Sequence, residues 1–192
     1  MRVPRSSVAR ALSAVLVIAA ATGCGSRLDD PDHPLTGEEI AHAEETMRKL
    51  PSIQETEQQL TALMQQIAQA VEVASPGLRW ETKVNRGQNT LGCPGPYLET
   101  DGVSMTTDIL RSPIPIADSE WQNVLTIARD LAAPHGITAI TVLADQPGNH
   151  DVSLHSPDQG NEIRIGTLEA AVITGVTGCR FRAEDLENPP AK

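Results

Sequence analysis

Asp151, Ser153 and His155 are the residue types of an acyl-transfer triad, alternating within one short stretch of this 192-residue chain. On a β-strand they would all project to one side. The same geometry defeats the chemistry, because neighbours on that face stand about 6.6 Å apart while a nucleophile and its base must meet within roughly 3 Å. With Val152 and Leu154 turned the opposite way, the three read as the solvent side of a half-buried strand. A metal fares no better. His150, Asp151 and His155 crowd a hairpin with Asp145 across its turn, but the sequence has neither an H-E-x-x-H helix nor a fixed cysteine-histidine spacing. Gly92-Cys93-Pro94-Gly95 lacks the lysine and the following helix of a phosphate loop. No catalytic residue, metal ligand or cofactor is therefore assigned. The enzymatic alternative is an envelope hydrolase or modifying enzyme whose site is assembled from distant loops, for instance His135 or His150 with Asp145 or Asp151.

Three cysteines offer different chemistry. Cys24 closes Ala21-Thr22-Gly23-Cys24, after a basic start carrying Arg2, Arg5 and Arg10 and a charge-free run from Ala11 to Ala21. That order describes an export signal over residues 1–23, and a thiol directly after the cut can accept a lipid. An ordinary secretory signal, with Cys24 incidental and Ala21 where leucine is usual, is the alternative. The apolar run is too short for a permanent transmembrane helix, which needs about 20 residues. One acyl chain holds a protein only weakly, so firm attachment takes a second. With Cys24 assigned to lipid, Cys93 and Cys179 remain as a pair, and an exported chain oxidises such a pair to a disulfide. Thiol exchange is not expected, since Cys93 stands alone among prolines and has no C-x-x-C partner.

The elements that position these residues read clearly in places. Residues 24–36 form an acidic, proline-broken tether, and residues 37–184 are long enough for one domain. Thr36-Gly37-Glu38-Glu39 has capping-box spacing and starts a helix that Pro51 ends. Ser52-Ile53-Gln54-Glu55 repeats the pattern. Leu60, Leu63, Met64, Ile67, Val71 and Ala74 then recur at helical spacing until Pro76-Gly77. Leu78 to Val84 alternates as a strand with Trp80 inward, and Asn85 to Asn89 is a loop. A second extended stretch covers Tyr97 to Leu110. Asp118 or Ser119 caps a further helix with the stripe Trp121, Val124, Leu125, Ala128 and Leu131, closed by His135-Gly136. Strands follow over Ile137 to Ala144, Asp151 to Ser156, Glu162 to Gly166 and Leu168 to Phe181, with turns at Gln146-Pro147-Gly148-Asn149 and Pro157 to Asn161. Residues 185–192 look like a loose tail. The expected fold is α+β: N-terminal helices and one central helix packed on one face of an antiparallel sheet of four to six strands, with one disulfide.

Charge narrows the partners. The formal net charge is −10, and removing the signal, with its three arginines and no acid, lowers it to −13. Nucleic acid is a poor partner for such a chain, and an anionic bilayer repels it, so attachment to a membrane falls to the lipid.

A lipobox ending at Cys24, a strand around Trp80-Glu81, the turn Gly92-Cys93-x-Gly95-Pro96-Tyr97, a tryptophan-bearing helix and a late Gly178-Cys179-Arg180 together resemble the mycobacterial LppA/LppV-type lipoproteins. The resemblance covers most of the chain after Cys24, but not the stretch from Met105 to Pro115. It implies an envelope protein lipid-anchored on the extracytoplasmic face of the cell membrane, without catalytic residues to carry over. The sequence therefore leads to a non-catalytic binding or interaction module, held by its N-terminal lipid, whose partner is an envelope protein or a small ligand.

Overall fold

A computed structural model describes residues 34–84, 90–157 and 160–188. The signal segment, Cys24 with residues 25–33 of the tether, the loop at 85–89, Asp158 and Gln159, and the chain from 189 lie outside the described residues.

Thr36 opens the first helix as its spacing predicts. Its hydroxyl accepts from the Glu39 N–H at 3.3 Å while the Glu39 carboxylate accepts from the Thr36 N–H at 2.8 Å, closing a capping box on α1, Gly37–Met47. Ser52 makes the forward half of the same motif, accepting from the Glu55 N–H at 3.2 Å. It starts α2, Ile53–Ala74, which buries Leu60, Leu63, Met64, Ile67, Ala68 and Val71 along one stripe. The third helix, α3 (Asp118–Ala132), buries Trp121, Val124, Ala128 and Ala132. A single 3₁₀ turn at Ala133–His135 follows it, and Gly136 at φ 75° supplies the left-handed stop that glycine tolerates best.

Among the described residues, eight strands follow in chain order: β1 (Glu81–Lys83), β2 (Thr90–Leu91), β3 (Ser104–Met105), β4 (Ile109–Ser112), β5 (Ala139–Gln146), β6 (Asn149–His155), β7 (Glu162–Thr167) and β8 (Ala171–Val176). Six of them make one sheet in the order β1-β4-β8-β7-β6-β5, antiparallel throughout, and β2 and β3 form a separate ribbon. Register sets the faces. Val152 pairs with Ile165, Ile165 with Ile173, and Ile173 with Leu110, so an apolar row crosses four strands. All four side chains are buried in one cluster with the stripes of α2 and α3. The sheet thus has a helix-covered face and an open one, as an antiparallel sheet allows.

A second, smaller cluster joins Met47 of α1, Cys93, Cys179 and Phe181, with Tyr97 and Leu186 against it. Its centre is the Cys93–Cys179 disulfide, with a Cα–Cα distance of 5.7 Å. Of the N-terminal helices, α2 therefore lies on the sheet while α1 caps this disulfide end.

Several boundaries differ from the sequence reading. The strand expected over Leu78 to Val84 shortens to β1, whose three residues are all exposed at the sheet edge, although Leu78 is buried before it and Trp80 packs half-buried on the main core. Tyr97 closes a 3₁₀ turn, and the extended stretch that follows is split into β3 and β4. The last strand is confined to Ala171–Val176. Of residues 185–192, read as a loose tail, the first three close a short helix: α4 runs Ala183–Glu187, and its Leu186 packs against the disulfide cluster.

Candidate functional site

Alternation along β6 splits its polar residues between the two faces. Asp151, Ser153 and His155 lie on the open face opposite Gly166, Arg164 and Glu162 of β7, while His150 lies on the helix side opposite Thr167. On the open face, Arg164 holds Asp151 through two hydrogen bonds, one from its Nε at 2.8 Å and one from Nη2. The carboxylate in turn keeps the guanidinium pKa above its ordinary value. His155 instead meets Thr141 of β5, with Nε2 to Oγ1 at 3.1 Å. Aspartate and histidine of the would-be triad are therefore each engaged by a different neighbour.

His150 is the one histidine of the sequence-based alternatives that meets its acid. The two-residue turn between β5 and β6 brings Asp145 opposite His150, and Nδ1 lies 2.8 Å from the Asp145 Oδ1. Asp118, the first residue of α3, approaches the other ring nitrogen, with Nε2 to Oδ1 at 3.0 Å. Trp121, one helical turn further on, stacks on the imidazole with centroids 4.8 Å apart and planes 11° from parallel. Both partners of the ring are carboxylate oxygens.

Asp118 also accepts from the Gly148 N–H at 2.7 Å. That bond first, and the His150 bond second, hold its carboxyl below the usual range. A carboxylate in the first turn of α3 also suits the helix dipole. The residue expected to cap α3 thus reaches instead to the β5–β6 turn, and Ala117 takes the cap position with no side-chain bond.

The arrangement fastens a hairpin to a helix. The imidazole is almost wholly buried, both its nitrogens are taken, and among the described residues no serine, threonine or cysteine side chain is bonded to it, so it is not arranged as the base of a nucleophile. The two carboxylates grip opposite edges of the ring and do not converge on a common point. Among the described residues no group of three or more histidine, cysteine, aspartate or glutamate side chains is placed to hold one metal ion. His135 is exposed in the turn after α3, and Asp151 faces the other side of the sheet from His150. Asp118 and Trp121 escaped the sequence reading as partners of His150, since they stand 32 and 29 positions away and each already had a local explanation as cap and core.

Over the open face a shallow depression of about 400 Å³ lies above Gly166, walled by Arg164 and Asp151 on one side and Leu168, Val172 and Thr174 on the other. The missing Cβ of Gly166 leaves this dent in the side-chain layer. It offers a charged edge and an apolar wall. Among the described residues no helix is long and apolar enough to cross a membrane.

A family model described as LppA, a lipoprotein confined to pathogenic Mycobacterium, matches residues 28–183. The lipoprotein LppB of Mycobacterium tuberculosis (strain H37Rv) is 26% identical over 179 residues, covering 88% of this chain and 78% of its own. LppA of the same strain is 25% identical over 170 residues, covering 84% of this chain and 74% of its own. The crystal structure of the M. tuberculosis lipoprotein LppA superposes with a TM-score of 0.66 at 20% identity, covering 81% of this chain and 96% of that one. This last likeness is one of fold.

Proposed function

The chain belongs to the LppA family of lipoproteins, and from that premise we propose that acylated Cys24 tethers it to the extracytoplasmic face of the cell membrane, where it serves as a non-catalytic binding module. One observation carries the second half of this reading. The acid–base residues Asp118, His150 and Asp145 bond one another and lock a turn to a helix, so the imidazole has both nitrogens engaged within the fold. The binding surface is the open sheet face, with the depression over Gly166 at its centre and the Arg164–Asp151 pair as its polar anchor. An envelope protein or a small ligand with both an apolar and a polar edge suits that surface.

Affinity capture from detergent-solubilised envelope tests the proposal, comparing the unaltered chain with Arg164→Glu and His150→Gln. The expected result is a partner or ligand retained by the unaltered chain and by His150→Gln and lost with Arg164→Glu. Capture of nothing by any bait, or turnover of an ester, phosphoester or peptide that disappears with His150→Gln, would favour the hydrolase instead.

A further inference from the structure

The two edges of the six-stranded sheet are built differently. The β1 edge has three residues and ends in the charged Glu81 and Lys83, the kind of short, charged strand that discourages edge pairing. β5 at the other edge has eight residues, and its sole charged side chain, Asp145, is committed to His150. From Ile137 to Ala144 the chain carries no charge at all. Ile140 and Val142 pair across to Leu154 and Val152, so they point to the helix side. Yet they remain 37% and 58% exposed, whereas Leu154 and Val152 are buried. The helix layer stops short of β5. Beside the C-terminal half of α3 runs a groove of about 370 Å³, lined by Thr126, Arg129, Asp130 and Ala133 at helical spacing, by Ile137 and Thr138 just before β5, and by Leu154 of β6.

We propose that β5 is a self-association edge that takes a second copy of this chain in antiparallel pairing, about a two-fold axis at Thr141. In such a pair, residues directly opposite share a face. Ile140 then meets Val142 of the second copy, and Val142 meets its Ile140, so four uncovered apolar side chains cover one another on the helix side. A two-fold interface must complement itself, which requires both signs of charge or neither. The segment that pairs, Ile140 to Val142, supplies neither, and the groove beside it supplies one of each in Arg129 and Asp130, although the whole chain carries −10. A basic partner would be matched by acid excess along the paired segment, and that segment carries no charge. Leu143 bulges out of register with β6 and closes the pairing at its C-terminal end, so that about a two-fold axis at Thr141 the paired segment is the three residues Ile140 to Val142. An edge of that size buries less than about 1,200 Å², the range of weak and transient association. The inference concerns the edge alone and holds whatever occupies the open face.

Cysteine cross-linking of the full-length chain in detergent-solubilised host membranes tests it. At the two-fold centre, Cα atoms about 4.5–5.5 Å apart suit a disulfide, so Thr141→Cys is expected to give a reducible band of twice the chain mass under mild oxidation. The yield should exceed that of Thr82→Cys on the β1 edge at least fivefold, by order of magnitude from the pairing geometry. The unaltered chain, which keeps Cys24, sets the background. Adding Val142→Lys to Thr141→Cys should cut the yield about tenfold, because it sets a charge against Ile140 of the second copy on a face that pairing would bury, with the near-UV circular dichroism unchanged. A Thr141→Cys band no stronger than background or than Thr82→Cys overturns the proposal whether or not Val142→Lys folds. So does a cross-link to a different protein, or a folded Val142→Lys chain that cross-links as well as its parent.

Discussion

His150 shows how a residue suited to catalysis becomes architecture. Its ring sits on Trp121 and spends both nitrogens on Asp118 and Asp145, which ties the β5–β6 turn to the start of α3. Asp118 carries the pH dependence of that tie. Its pKa is depressed in the folded chain by the Gly148 N–H and by His150, so it stabilises the fold above its unfolded value of about 3.9. That contribution is lost as pH falls through the lower, folded value. Asp118→Asn should therefore lower the urea midpoint at pH 7, and the gap to the unaltered chain should shrink as the pH drops below the unfolded value of about 3.9 and on through the lower, folded one. A gap that persists in acid would assign the effect of Asp118 to packing. None of this was legible from residue types, since a first-turn aspartate explains itself locally. The separation of Asp151, Ser153 and His155 was legible, because strand geometry alone forbids the triad.

Among elements, the helices follow their local signals closely. The capping pattern at Thr36, the stripe from Leu60 to Val71 and the glycine stop at Gly136 are all decided within a few residues, which is why spacing finds them. Strand pairing is decided by distant partners. That β4 lies between β1 and β8, far apart in the chain, leaves no trace in local alternation, and the same non-locality shortened the strands expected at Leu78 and at Leu168. The Cys93–Cys179 bond is the exception, a long-range contact read from cysteine count and compartment. It fastens the segment before the 3₁₀ turn at Gly95–Tyr97 to the chain leaving β8 across 86 positions. In the chain-entropy picture its removal costs about 4.5 kcal/mol. The Cys93→Ser, Cys179→Ser double variant should show that loss as a lowered denaturant midpoint with an equal or steeper slope, because the unfolded chain freed of the cross-link exposes more surface. A loss below about 1 kcal/mol would mean that the reduced, unfolded chain is already held by other contacts.

For the whole molecule, the sequence is that of an acidic chain, and among the described residues it folds as an α+β domain with helices on one face of a six-stranded sheet. Net charge bears on where such a domain can stay. A chain at −13 after signal removal gains nothing from an anionic surface, so the proposed address depends on covalent lipid, and retention should not weaken as salt is raised. The most direct test is the intact mass of the mature chain extracted from membranes of an expressing actinobacterial host. The account predicts a polypeptide that begins at Cys24 and is heavier than its sequence by a thioether-linked diacylglycerol, absent when Cys24 is replaced by serine. A membrane-extracted or soluble product with the unmodified mass, starting at Met1 or at any residue other than Cys24, would contradict it.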